Sequence, residues 1–166
     1  MNDKSTLEKR LNEKFEEFIL FFNLGGPYSS IKILGELYNC VLKLDKTIQP
    51  EWLERIRDVC FSEVQLQIIV DELEKDIKNI ERLLSIFNVW IEEEIVLILT
   101  LRIEVELISN VLTFIGYNKV SADFSSIDEK ILQISQAEDS KRAFSESVSL
   151  IKKNWGMPIT NKWLDL

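Results

Sequence analysis

From Glu51 to Ile115 the chain contains neither glycine nor proline. These are the residues that most readily end a helix, so a stretch this long, rich in Leu, Ile, Glu and Lys, is helix-forming almost throughout. The same region holds the whole net charge. Basic and acidic side chains balance at 7 each in residues 1–50 and again in 111–166, whereas 51–110 carries 6 Lys or Arg against 14 Asp or Glu, the −8 of the full chain. One continuous helix over 51–115 would be roughly 100 Å long at about 1.5 Å per residue, too long for a compact domain, so it has to turn back. The fold expected is all-α: an antiparallel helical bundle of five to seven helices forming one domain over residues 1–166, with a buried central helix near 89–115.

Two signals place the turns. Ser62-Glu-Val-Gln65 matches a capping box, which marks a new helix start after a short helix opened by Pro50 and striped by Trp52, Ile56 and Val59. Asn88 is a favoured N-cap residue just ahead of Trp90-Ile-Glu-Glu-Glu94. Between them Leu66, Val70, Leu73, Ile77, Ile80, Leu84 and Phe87 alternate spacings of 4 and 3, with Glu63, Gln67, Asp71, Glu74, Lys78 and Glu81 opposite. That 3.5-residue repeat is the seam of a long helix packed nearly parallel or antiparallel to another, inside the chain or in a homodimer. The helix near 89–115 is apolar on two sides and leaves Arg102, Glu106, Asn110 and Thr113 as a narrow polar edge. Leu99 to Leu107 also alternates like a half-buried strand, but no second segment alternates to pair with it, so helix is the better reading.

The ends are built from shorter helices. Ser5-Thr-Leu-Glu8 matches a capping box for a first helix whose Leu7, Leu11, Phe15, Phe18 and Phe22 share one side, ended by Asn23-Leu-Gly-Gly-Pro27. A second helix, about 29–44, buries Ile31, Leu34, Leu37, Val41 and Leu44; Gly35 weakens it unless another backbone packs there closely. Beyond Gly116, helices are expected at about 126–137 and 140–153, and the Trp163-Leu164 tail should dock on the domain.

Chemistry is constrained mainly by what is missing. The chain has no histidine and only Cys40 and Cys60, which removes Ser-His and Cys-His nucleophile pairs, His-containing metal sites and Cys₄ clusters within one chain. There is no glycine-rich phosphate loop. Both cysteines read as buried thiols of a cytoplasmic protein. Nucleic acid is disfavoured by the acidic balance and scattered basic residues, and no apolar run is long enough to export the chain or span a membrane. No cofactor is implied.

Carboxylates are the one reactive group in excess. Glu13, Glu16 and Glu17 lie at helical spacing, as do Asp71, Glu72 and Asp76. This resembles the E-x-x-E-E and E-x-x-D signatures with which all-α nucleotide pyrophosphohydrolases of the MazG type hold Mg²⁺, although the second motif is not present as E-x-x-D. The plain alternative is a solvated helix face paired with neighbouring lysines. The preferred reading is a non-catalytic protein-binding module of the inhibitor, immunity, antitoxin or adaptor kind. It would present Glu72, Glu74, Asp76, Glu81, Glu92, Glu93 and Glu94 to a basic protein; as plain structure, the last three simply favour a helix start. The runner-up is a regulatory bundle holding an apolar small molecule among the surplus aromatic residues, and a magnesium-dependent hydrolase is third.

Overall fold

The computed structural model describes residues 3–86, 90–117, 123–156 and 159–165, and every regular element among them is helical. The seven helices are α1 (Asp3–Asn23), α2 (Pro27–Val41), α3 (Gln49–Arg57), α4 (Glu63–Ile86), α5 (Glu92–Phe114), α6 (Ser125–Gln136) and α7 (Lys141–Asn154). The bundle is organised around α5, against which α2, α4 and α7 all pack; α1 and α3 lie on α2, and α6 touches both α4 and α7. Ile98, Leu99, Ile103, Val105, Ile108, Val111 and Leu112 are buried along α5, as a central helix requires. The strand-like alternation of Leu99 to Leu107 belongs to this helix. Packed on several sides, it keeps Thr100, Glu104 and Glu106 on its less covered flanks rather than along one clean polar stripe.

Helix ends follow local chemistry, with two shifts from expectation. The Ser62 box is complete: the Ser62 N–H donates to Gln65 Oε1 at 2.8 Å and the Gln65 N–H to Ser62 Oγ at 3.2 Å. Helix α1 begins at Asp3, so Ser5 lies inside its first turn and does not start it. Asn88, the expected N-cap, and Phe87, the last residue of the seam, lie outside the described residues. The N-cap of α5 is Ile91, whose N–H donates to the Glu94 carboxylate at 3.2 Å, so Trp90 and Ile91 precede the helix. At its other end Gly116 adopts φ +96° and the Tyr117 N–H reaches Leu112 O at 2.8 Å, closing α5 with a left-handed turn that glycine adopts without steric cost.

The helix seam is drawn largely into the chain's own core. Leu73, Ile80 and Leu84 are buried, together with Ile69 from the neighbouring row, while Leu66, Val70 and Ile77 are half-buried. Where α2 crosses α5, a Cβ on Gly35 would stand 2.9 Å from the Leu107 carbonyl oxygen, which supplies the close backbone approach that an interior glycine implies. The aromatic surplus of α1 packs into a cluster in which Phe22 meets Phe61 edge-on at 5.3 Å and Phe15 meets Trp52 at 6.1 Å, with the Arg55 guanidinium 4.4 Å from the Phe15 ring centre. Cys40 is buried, and burial pushes its thiol up to about 11, whereas Cys60 is exposed in the connection before α4, not an apolar helical position. Among the described residues no helix is long and apolar enough to cross a membrane.

Candidate functional site

Of the seven acidic residues expected to face a partner, several are engaged within the fold. Asp76 turns toward α2, where its carboxylate accepts a 2.5 Å hydrogen bond from the Tyr28 hydroxyl. Burial, that hydrogen bond and the carboxylates of Asp76, Glu104 and Glu72 all push the phenol upward, so it remains a donor. Glu72 pairs with Lys75 at 3.3 Å. Glu94 is engaged in the N-cap, and Glu92 is half-buried with its carbonyl accepting from Ser147 Oγ at 3.2 Å. Glu74, Glu81 and Glu93 are exposed and make no hydrogen bond or ion pair among the described residues.

Apart from Asp76, the second acidic set is likewise exposed or paired on its own helices. Glu13 and Glu16 are exposed on α1, Glu17 pairs with Lys14 at 3.3 Å, and Asp71 accepts from Gln67 Nε2 at 2.8 Å. Among the described residues no group of three or more His, Cys, Asp or Glu side chains is placed to hold a metal ion.

What the fold does assemble is a cleft of about 350 Å³ between α1, α2, α5 and the end of α7. Val96, Thr100 and Glu104 reach it from successive turns of α5, Lys14 and Glu36 from α1 and α2, Leu150 and Asn154 from the last turns of α7, and Trp155 from its C-cap. Lys14 stands 3.9 Å from Glu36, and Lys32 stands 3.6 Å from Glu104 and 4.8 Å from the Tyr28 ring centre. Burial pushes the Glu36 carboxyl above the ordinary range, opposed by Lys14 and reinforced by Glu104 and Glu17. Burial likewise raises Glu104, opposed by Lys32 and reinforced by Asp76. These lysines therefore compensate only part of the cost of enclosing the two carboxylates.

A second polar centre lies on the other flank of α5. Arg102 is 1% exposed and donates from Nε and Nη2 to both oxygens of Asp128 on α6, at 2.7 and 3.0 Å. Its Nη1 is 3.4 Å from Glu106 Oε2, and its guanidinium lies 4.0 Å from the Phe124 ring centre. Asp128 also accepts from Lys162 Nζ at 2.6 Å, and the Asn161 amide donates to Glu106. Burial raises the Asp128 carboxyl, but hydrogen bonds from Arg102 and Lys162 with their charges outweigh it and hold the group below the usual carboxylate range. Reciprocal hydrogen bonds between Asn39 and Thr160, both 3.2 Å, anchor the same tail to α2. Trp163 and Leu164 are thereby buried at 4% and 1% exposure, as a docked tail should be.

Arg102, expected on the narrow polar edge of α5, is the largest fully buried side chain among the described residues. The available signal was its isolation: no other basic residue occurs between Arg82 and Lys119. Comparison of the chain with family models, with curated proteins and with solved structures returned no match.

Proposed function

We propose that the protein is a non-catalytic binding module that meets a basic protein partner through the acidic surface of α4 and the start of α5. The observation carrying this reading is that Glu74, Glu81 and Glu93 remain exposed without an ion-pair partner among the described residues, in the region that holds the entire net charge. Such charges speed encounter more than they tighten a complex. Asp76, Glu72 and Glu94 serve the fold's own hydrogen bonds and ion pairs, so the recognition set contracts to Glu74, Glu81 and Glu93 with a contribution from Glu92.

The test is kinetic. With a partner recovered by affinity capture, the association rate should fall steeply as salt rises past physiological strength, where the Debye length is about 8 Å, and the dissociation rate should change little. Replacing Glu74, Glu81 and Glu93 by Gln should reproduce the high-salt rate at low salt. An association rate insensitive to both salt and the triple replacement would place recognition elsewhere.

A second reading, a bundle that holds a small molecule, is favoured by the cleft of Lys14, Glu36, Thr100, Glu104 and Trp155. Its volume of about 350 Å³ falls in the range of ligand pockets.

A further inference from the structure

We propose that this cleft binds a small organic ammonium ion with an apolar body, a proposal that rests on the small-molecule reading. Three independent features converge on that class. The first is charge: the lining carries two carboxylates, Glu36 and Glu104, against Lys14 alone, and Lys14 and Lys32 already stand 3.9 and 3.6 Å from them. An added cation is therefore favoured over an added anion, and burial has already raised both lining carboxyls, so a positive neighbour would restore their ionised form.

The second feature is the end of α7. Leu150, Ile151 and Asn154 belong to its last turns and Trp155 is its C-cap, where the helix presents the negative end of its dipole. Lys152 and Lys153 offset that dipole from the exposed side but line none of the cleft. The third feature is the wall. Trp155 offers an indole, on which an ammonium group can be held through its face, and Val96, Leu150 and Ile151 supply apolar surface for the rest of the ligand. Thr100 and Asn154 add hydroxyl and amide groups able to orient the ammonium hydrogens.

Three probes with one body and different charge test the class: 2-phenylethylamine, 2-phenylethanol and phenylacetate, each titrated calorimetrically into the full chain. The amine should bind at least about tenfold more tightly than the other two and raise the melting temperature. Glu104→Gln and Trp155→Phe should each weaken the amine several-fold, with circular dichroism confirming an intact helical fold, and Glu129→Gln on the exposed face of α6 should leave it unchanged. Equal binding of all three would overturn the ammonium assignment while keeping a small-molecule cleft. Tightest binding of phenylacetate would also overturn it and make Lys14 the recognition group. No binding at millimolar concentration would remove both the assignment and the small-molecule reading. An amine preference undiminished in both cleft variants would locate the site elsewhere and overturn the proposal; because the three-probe comparison uses the unaltered chain, it stands even if a variant misfolds.

Discussion

Gly35 sits at the crossing of α2 and α5, where the Leu107 backbone leaves no room for a methyl group. In an open helix interior, Gly→Ala stabilises by roughly 1 kcal/mol. Here the added Cβ would meet a carbonyl oxygen at 2.9 Å, and backbone cannot rotate aside as a side chain can. Gly35→Ala should therefore destabilise by about 1–3 kcal/mol, the usual range for overpacking, read as a lower urea midpoint with unchanged slope. A raised midpoint would mean that the two helices do not approach this closely. The residue's importance was legible in the sequence as a conditional, because an interior glycine needs a reason. Which backbone supplied the reason was not legible, since Leu107 lies far along the chain and nothing local names it.

At the scale of elements, periodicity carried most of the information. The spacing of Leu66 to Leu84 located α4, the Ser62-Gln65 box located its start, and the apolar density of residues 95–112 identified the central helix. Periodicity assigns a side chain to a face but does not say what covers that face, and Arg102 shows the difference. Its place on the polar edge of α5 was correct by angle, yet α6 and the 159–165 segment close over that edge and bury the guanidinium within an ion-pair network whose outer members stay partly exposed. The cleft escaped for a similar reason: Lys14, Glu36 and Glu104 each look like ordinary surface charges until three helices and the end of α7 bring them together.

The network should behave as a unit. Asp128→Ala leaves the Arg102 guanidinium buried without its bidentate partner and should cost about 3–5 kcal/mol, whereas replacing both residues, Arg102→Met with Asp128→Leu, should cost clearly less than the sum of the two single changes. A double-mutant cycle by urea denaturation measures this, and simple additivity would show that the pair does not act through its mutual contact.

For the whole molecule, the two polar centres respond to pH with opposite signs. Glu36 and Glu104 bind a proton more readily when folded than the ordinary value of 4.5 implies, so their ionisation at neutral pH opposes folding, and that cost is relieved as pH falls through their folded values toward 4.5. Asp128 is shifted the other way, from 3.8 downward; its stabilisation is present above that value and is lost as pH falls through the folded one. Stability should therefore rise on mild acidification from neutrality and fall at strongly acidic pH. In Glu36→Gln combined with Glu104→Gln the rise should disappear while the acid fall persists. Urea midpoints from neutral pH to below pH 4 check both limbs, and a monotonic fall from neutrality in the unaltered chain would contradict the enclosed state of the two glutamates.

The Arg102 network also imposes an order on biosynthesis. Asp128 is added 26 residues after Arg102, and Lys162, which completes the shell around Asp128, comes 34 residues later still. A nascent chain that has already made α1 to α5 thus carries a guanidinium in the middle of its most apolar helix with no counter-ion on α6 to meet it. Glu106 on the same helix meets only Nη1, at 3.4 Å, so water should stay at that flank of α5 while the ribosome continues, because enclosing a guanidinium without its bidentate partner is costly. The central helix can gain its partners α2 and α4 early, but its remaining side has to stay hydrated until translation passes residue 128, and its covering segment arrives only with residues 159–165.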